Sequence, residues 1–109
     1  MKKVLFVCSQ NRLRSPTAEQ IFSGRRGFDV ASAGTDRLAE TPLSAELVEW
    51  ADVIFVMERS HWNRLAKSFG KQLKDKRVVC LDIPDEYGFM DPALVRLLEL
   101  KAGPFFDRG

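Results

Sequence analysis

Four short apolar segments, rich in β-branched and aromatic residues, recur along the chain and constrain its fold more than any other feature. They span residues 4–8, 28–32, 53–57 and 78–81. All but the second are almost continuously apolar, which is typical of strands that are buried on both faces of a sheet. We therefore expect the four segments to be neighbouring strands of one covered sheet.

Helical patterns separate these strands and follow the last one, at residues 15–25, 43–50, 60–67 and 92–101. Strands that alternate with helices over short connections indicate right-handed βαβ units, in which the strands are parallel. The sequence thus predicts an α/β fold, a small doubly wound four-stranded parallel sheet with helices on both faces. Helices are expected to begin at three pairs in which an N-cap residue precedes a proline. These pairs are Ser15-Pro16, Thr41-Pro42 and Asp91-Pro92.

Composition narrows the class of protein further. The 109 residues, 45% hydrophobic and 29% charged, suit one globular domain of residues 1–109. A net charge of +2 is too small to indicate a nucleic-acid partner. Two cysteines cannot form a disulfide framework, which favours a reducing cytoplasm. The first apolar segment is too short for a secretion signal, and no segment reaches transmembrane length, so no membrane association is expected.

The residues that carry chemistry cluster where the first strand gives way to the first helix. Cys8 ends the strand, and Arg14 and Ser15 open the helix. Between them lie Ser9, Gln10, Asn11, Arg12 and Leu13. Ligands of doubly wound sheets bind beyond the carboxyl ends of the strands, where a helix N-terminus offers unpaired N–H groups. Such a loop can curl into a nest for one tetrahedral oxyanion, such as phosphate or sulfate.

Three side chains complete this candidate site. The planar guanidinium of Arg14 can bind two oxygens of a phosphoryl group at once. A helix N-terminus and a nearby cation favour the thiolate form of a cysteine such as Cys8, and Ser15 can donate a hydrogen bond to the sulfur. A nucleophile, an oxyanion cradle and a cation together predict covalent phosphoryl transfer that needs no metal or cofactor. Cys80, in the middle of a strand, is expected to fill the core.

These motifs resemble the low-molecular-weight protein tyrosine phosphatases. The similar segments are Val-Leu-Phe-Val-Cys at 4–8, then Asn11 and Arg14-Ser15-Pro16, then Ser-Ala-Gly-Thr at 32–35. That family carries a Cys-x-Gly-Asn-x-Cys-Arg-Ser loop directly after its first strand. The resemblance implies a phosphotyrosine phosphatase I-like fold, with Cys8 as nucleophile, Arg14 as phosphate ligand and Ser15 as stabiliser of the thiolate. It also implies that Asn11 shapes the loop, and asparagine suits a left-handed turn position.

The family's general acid is the aspartate of an Asp-Pro-Tyr segment, with which residues 83–88, Ile-Pro-Asp-Glu-Tyr-Gly, align. This implies that Asp85 is the general acid and that Tyr87 forms one wall of the substrate pocket. A half-exposed loop tyrosine is the alternative for Tyr87. Asp82 and Asp91 remain alternatives for the acid, although Asp91 stands where a helix needs its N-cap.

Several positions depart from the family pattern. Gln10 replaces a glycine, Arg12 a residue that is usually apolar, and Leu13 the second cysteine of the loop. Because glutamine is strained at positive φ, we expect an unusual dihedral angle or an altered pocket wall at Gln10. The chain is also shorter than family members within 35–47, where they carry an additional helix and an aromatic pocket wall. His61, the single histidine, is expected to have a polar surface role or to support a loop.

The leading hypothesis is a cytoplasmic cysteine-dependent phosphomonoesterase that acts on phosphotyrosine or another aryl phosphate through a phosphocysteine intermediate. Cys8, Arg14 and Asp85 are expected to be catalytic. Substrate contacts are expected from Ser9, Gln10, Asn11, Arg12, Leu13, Ser15 and Tyr87.

Two alternatives remain open. A non-catalytic module that binds phosphate or phosphopeptides is suggested by Gln10, by Glu86 in place of the family's proline, and by the shortened pocket region. Arsenate reduction is the second, because thioredoxin-coupled reductases share this fold and loop. Those enzymes need further redox cysteines, and here Cys80 is the one other cysteine.

Overall fold

Four parallel strands form the sheet, as the apolar segments predict. They are β1 (Lys2–Cys8), β2 (Phe28–Gly34), β3 (Val53–Val56) and β4 (Arg77–Cys80), in the spatial order β2-β1-β3-β4. The computed structural model describes residues 1–107. The register places Cys8 opposite Gly34, so the carboxyl ends of β1 and β2 lie side by side.

Helices cover both faces of this sheet, which confirms the doubly wound α/β fold. They are α1 (Arg14–Phe22), α2 (Ala45–Trp50), α3 (Arg59–Leu73), α4 (Pro92–Lys101) and α5 (Gly103–Asp107). Helices α1, α4 and α5 contribute to the core on one face, whereas α2 and α3 contribute to the core on the other. Within residues 1–107, no helix combines the length and the apolar character that crossing a membrane requires.

The central strand β1 explains why the apolar segments are continuous. Val4, Phe6 and Cys8 belong to the core beneath α1, α4 and α5, and Leu5 and Val7 belong to the core beneath α2 and α3. Successive side chains of a strand point to opposite faces, so a strand between two cores has no position left for a polar residue. Both cores therefore hold the end of β1, and with it Cys8, in a fixed place.

Aromatic rings fill the first of these cores. Phe6 stacks on Phe22, Phe55 and Phe106, with ring centroids 5.7, 5.2 and 6.2 Å apart. Phe106 comes from α5, which the sequence patterns did not predict as a helix. Offset stacking of this kind adds to the stabilisation from buried apolar area. The stack ties the described C-terminal segment to the strand that carries the cysteine.

The helix starts are only partly as predicted. Asp91 is the N-cap of α4, and its carboxylate accepts a hydrogen bond from the N–H of Ala93 at 2.9 Å. Thr41 does not cap α2. That helix begins later, after Ser44, whose hydroxyl accepts from the N–H of Leu47 at 3.2 Å. The Thr41-Pro42 pair instead lies beside the end of β2, where Pro42 forms a bridge with Gly34.

Candidate active site

The loop of residues 9–13 joins β1 to α1, and hydrogen bonds to the segment after β2 hold its beginning. Three successive carbonyl oxygens, at residues 8–10, accept hydrogen bonds from N–H groups of the segment that follows β2. The pairs are Thr35 with Cys8 at 2.9 Å, Asp36 with Ser9 at 2.9 Å, and Glu40 with Gln10 at 3.1 Å. The segment 35–40 therefore fixes the orientation of the loop's peptide planes.

The loop's N–H groups are left available. Among the residues that the structure describes, none of the N–H groups of residues 9–14 donates a hydrogen bond to another backbone group. Consecutive free N–H groups at the start of a helix form a concave site for an anion, and the positive end of the helix dipole adds to it. This geometry has the form of the nest that the sequence predicts.

The turn within the loop depends on Asn11. Its φ of 56° lies in the left-handed region, to which asparagine is suited. Gln10 is not among the positive-φ residues of the described chain, so the expected unusual dihedral angle at Gln10 is wrong. Gln10 does line the cavity described below. Its side chain, which stands in place of the family's glycine, therefore changes the wall of that cavity rather than the backbone of the loop. The Asn11 amide nitrogen donates to the hydroxyl of Ser15 at 2.9 Å.

Ser15 lies beneath the nucleophile rather than at the helix cap. Helix α1 begins at Arg14 with Leu13 at the N-cap position, so the predicted capping role of Ser15 is wrong. Its Oγ lies 2.9 Å from the Sγ of Cys8 and 3.4 Å from the carbonyl oxygen of Ala33. Oγ accepts from Asn11, and its one proton has two acceptors within reach, of which the sulfur of Cys8 is nearer than the carbonyl oxygen of Ala33. Ser15 is fully buried, so water does not compete for this hydroxyl.

Arg14 is buried with only 2% of its side chain exposed, and oxygen atoms hold its guanidinium in place. Nη1 donates to Oε1 of Glu58 at 2.5 Å and to the carbonyl oxygen of Ile83 at 2.7 Å. Nε lies 3.7 Å from Oδ1 of Asp85. A buried cation needs such partners, and they also fix the plane of the guanidinium at the cavity.

Glu58 is a residue of the candidate site that the sequence reasoning missed, and it lies beside His61. Glu58 is the N-cap of α3 and pairs with Arg14, and His61 lies one turn later with 2% of its surface exposed. The Nδ1 atom of His61 accepts from the N–H of Glu58 at 3.0 Å, so Nε2 carries the proton and donates to Oγ of Ser9 at 2.9 Å. Loop support, one of the two roles expected for His61, is therefore what the structure shows. The available signal was the position of both residues just beyond the carboxyl end of β3.

Electrostatics keep this histidine neutral. Burial and the charge of Arg14 lower the pKa of His61 to about 4, against the smaller opposing effects of Glu58 and Asp85. A neutral ring is also what the hydrogen bonds require, since an imidazolium has no acceptor for the N–H of Glu58.

A cavity of about 550 Å³ opens over Cys8. Its lining consists of Cys8, Ser9, Gln10, Arg12, Leu13, Arg14 and Asp85. Arg12 is exposed and forms an ion pair with Glu40 at 3.6 Å, on the outer side of the loop. The cavity thus combines a buried sulfur, a buried guanidinium and one exposed carboxylate.

Of the three candidate acids, Asp85 alone lines this cavity, with 62% of its side chain exposed. Asp91 caps α4, and the carboxylate of Asp82 accepts a hydrogen bond from the thiol of Cys80 at 3.3 Å. An exposed carboxylate beside a buried guanidinium is placed to reach a group bound over Cys8.

Two predicted placements need correction. Tyr87 does not line the cavity over Cys8; it lines a shallow depression on α4 together with Leu97, because its ring packs against the first core. Cys80 is half-buried at the margin of the second core instead of filling it, and burial raises the pKa of its thiol. Neither residue contributes to the surface of the candidate site.

Comparisons with known proteins agree with this geometry. No family model matches the chain. A curated relative, the low-molecular-weight protein-tyrosine-phosphatase PtpB of Staphylococcus aureus, is 36% identical over 92 residues, which cover 64% of this chain and 66% of PtpB. The chain thus spans about two thirds of the length of the curated relatives it matches.

Solved structures share the whole fold. Wzb of Vibrio vulnificus, in complex with benzylphosphonate, is 23% identical with a TM-score of 0.79, and the match covers 99% of each chain. The YwlE arginine phosphatase of Geobacillus stearothermophilus is 22% identical with a TM-score of 0.78, over 99% of this chain and 95% of that one. The chain thus has a doubly wound α/β fold with a cysteine at the end of the first parallel strand, beside a loop of unpaired N–H groups. In sequence it is similar to the low-molecular-weight protein tyrosine phosphatases.

We expect Gly34→Ala to disrupt the nest. A Cβ atom at this position would lie 2.5 Å from the carbonyl oxygen of Ser9 and 2.6 Å from the Cβ of Ala39, so the loop would have to move. Phosphate should then bind at least about tenfold more weakly, measured as the loss of the rise in Tm that phosphate gives the unaltered protein. Gly70→Ala is the control, because nothing lies within 4 Å of its added Cβ. An equal rise in Tm with phosphate in both variants would contradict the close approach of Gly34 to the loop.

We expect the neutral state of His61 to make stability depend on pH. Its folded pKa of about 4 lies below the usual 6.5, so the unfolded chain takes up the proton first as the pH falls. The stabilisation is complete above pH 6.5 and is lost towards pH 4, with a slope of at most about 1.4 kcal/mol per pH unit. Urea denaturation of the unaltered protein and of His61→Asn measures the difference in unfolding free energy. That difference should shrink as the pH falls; a constant difference would contradict the buried neutral ring.

Proposed function

We propose that this protein is a cysteine-dependent phosphomonoesterase that hydrolyses phosphotyrosine or another aryl phosphate. The observation that carries the proposal is the placement of the Cys8 sulfur at the floor of a cavity whose rim offers unpaired N–H groups and the guanidinium of Arg14. The similarity to the low-molecular-weight protein-tyrosine-phosphatase PtpB supports it, as does the binding of benzylphosphonate, a phosphonate that carries an aromatic ring, by the structurally similar Wzb.

In the first step, the thiolate of Cys8 attacks phosphorus while the bond to the leaving phenol breaks. The N–H groups of the loop and Arg14 bind the three non-bridging oxygens, where charge is held throughout the transfer. Ser15 stabilises the thiolate through its hydroxyl, which lies 2.9 Å from the sulfur. Asp85 gives its proton to the phenolate oxygen, so that a neutral phenol leaves.

In the second step, water attacks the phosphocysteine from the side that the phenol has left. The ionised carboxylate of Asp85 takes a proton from this water, the sulfur–phosphorus bond breaks, and the thiolate of Cys8 is regenerated with release of phosphate. One carboxylate therefore serves first as acid and then as base. Because the first step needs a protonated acid beside a thiolate, the rate should have a bell-shaped pH profile with a mildly acidic optimum.

The alternatives receive less support from the geometry. For arsenate reduction, Cys80 would have to resolve an intermediate on Cys8, yet Cys80 does not line the cavity and its thiol donates to Asp82. For a non-catalytic module, the suspected defect at Gln10 is not a strained backbone, because Gln10 is not among the positive-φ residues of the described chain. Asp85 lines the cavity over Cys8, which supports its proposed role as general acid. We further propose that residues 1–109 act as one catalytic domain in the cytoplasm, with both cysteines as free thiols.

Cys8→Ser should abolish hydrolysis of p-nitrophenyl phosphate, with kcat reduced by at least about a thousandfold, because a serine hydroxyl at this site is a poor nucleophile. Binding of inorganic phosphate, followed by its effect on Tm, should persist because the N–H groups and Arg14 are unchanged. Cys80→Ser is the matched control and should keep its activity. Turnover by Cys8→Ser would contradict the proposed function; phosphate binding without turnover by the unaltered protein between pH 5 and 8 would favour the non-catalytic module.

Asp85→Asn should reveal the general acid. General acid catalysis contributes about 10²–10⁴-fold, and it matters most for substrates whose leaving group is a poor one. The variant should therefore lose more activity towards phenyl phosphate than towards p-nitrophenyl phosphate. The fall in rate towards higher pH, where the acid loses its proton, should also change. Asp82→Asn is the control, since Asp82 lies outside the cavity lining. If Asp82→Asn shows the larger loss, the assignment of Asp85 is wrong.

A further inference from the structure

His61 is a buried polar side chain that the proposed chemistry does not use. It is 2% exposed on the first turn of α3, and both of its ring nitrogens have hydrogen-bond partners. Buried polar groups are expensive unless they are paired, so a histidine at this place needs a reason. The two partners of its ring indicate what that reason is.

The first partner is the residue next to the nucleophile. The hydroxyl of Ser9 accepts from Nε2 of His61 at 2.9 Å, while the carbonyl of Ser9 accepts from the N–H of Asp36 at 2.9 Å. Ser9 is therefore held from two elements, α3 and the segment 35–40. Since Ser9 directly follows Cys8, this double attachment fixes the first peptide group of the nest.

The second partner leads to the cation. Nδ1 of His61 accepts from the N–H of Glu58, and the carboxylate of Glu58 binds Nη1 of Arg14. One imidazole ring thus joins the loop to the residue that orients the guanidinium. The N–H groups of the loop and Arg14 must bind the same phosphoryl oxygens. Their position relative to each other therefore determines how well the phosphoryl group is bound and aligned.

Only one protonation state makes both bonds. The neutral ring with its proton on Nε2 donates to Ser9 and accepts from Glu58, whereas an imidazolium would turn Nδ1 into a second donor facing an N–H group. The charged groups that act on the ring are Arg14 and Arg64, which oppose protonation, and Glu58 and Asp85, which favour it. Burial and Arg14 prevail, and they lower the pKa of His61 to about 4.

We propose that His61 is a positioning residue of the phosphate site, which holds the loop through Ser9 and the Arg14 clamp through Glu58 in one rigid frame. It does not touch the substrate. The kinetic consequences of the proposal rest on the proposed phosphatase function. The hydrogen-bonded frame itself does not, and it can be tested through phosphate binding without turnover.

His61→Asn separates positioning from folding. An asparagine amide oxygen can still accept from the N–H of Glu58 and so keep the start of α3, but the shorter side chain does not reach Ser9. We expect kcat for p-nitrophenyl phosphate to fall about ten- to a hundredfold, with KM changed less than about threefold, because alignment matters most in the transition state. His61→Gln, whose amide nitrogen can reach the position of Nε2, should recover part of the kcat.

A double-mutant cycle tests the link directly. Ser9→Ala should lower kcat by about as much as His61→Asn, and the double variant should lose little more, because either change breaks the same bond. Additive losses would overturn the proposal, since they would mean that the two residues act separately. Unchanged kcat in a folded His61→Asn variant would overturn it as well.

Magnetic resonance gives a readout that does not depend on turnover. Because the chain has a single histidine, the imidazole ¹H and ¹⁵N signals belong to His61 without assignment. We expect a neutral ring protonated at Nε2 from pH 5 to 8, and a shift of its signals when inorganic phosphate binds to the unaltered protein. An imidazole that titrates near pH 6.5, or imidazole signals that do not shift when phosphate binds, would overturn the proposal. Should the unaltered protein show no turnover while these signals behave as expected, the phosphatase function fails and the positioning role stands.

Discussion

The hydrogen bonds between the loop after β1 and the segment 35–40 are the interaction on which the site depends. They hold three successive carbonyl oxygens, at residues 8–10, while the N–H groups of residues 9–14 donate to no other backbone group of the described chain. This close approach is possible because Gly34 has no side chain, and the loop can turn because Asn11 adopts a left-handed conformation. An anion site is thereby built from backbone, with its geometry set before any ligand arrives.

Charge within the site follows from this arrangement. Arg14 is buried, and the carboxylates of Glu58 and Asp85 compensate its charge from two sides. His61 joins the same group of residues as a neutral ring, since a second cation there would oppose Arg14. Glu58 makes the closer contact with the guanidinium, whereas Asp85 is more exposed and lines the cavity over Cys8.

Much of the fold could be predicted because burial on both faces leaves a strong pattern in a parallel strand, as in residues 4–8. The loop could be predicted for a similar reason, since its parts are contiguous between Cys8 and Ser15. The contacts of Glu58 with Arg14 and of His61 with Ser9 could not be predicted, because more than 40 residues separate the members of each pair and the position beyond β3 does not name the partner.

Other predictions failed where two local roles compete. Ser15 has the residue type of a helix cap but is bonded to sulfur, and α2 takes Ser44 as its cap in place of Thr41. Tyr87 follows the candidate acid in sequence, yet its ring packs into the core. The central claim is an oxyanion site closed around Cys8, and a crystal structure of the unaltered protein with bound phosphate tests it most directly. We expect the anion to accept hydrogen bonds from the N–H groups of residues 9–14 and from Arg14, with the sulfur facing phosphorus. A sulfur turned away into the core, with phosphate bound elsewhere, would contradict the claim.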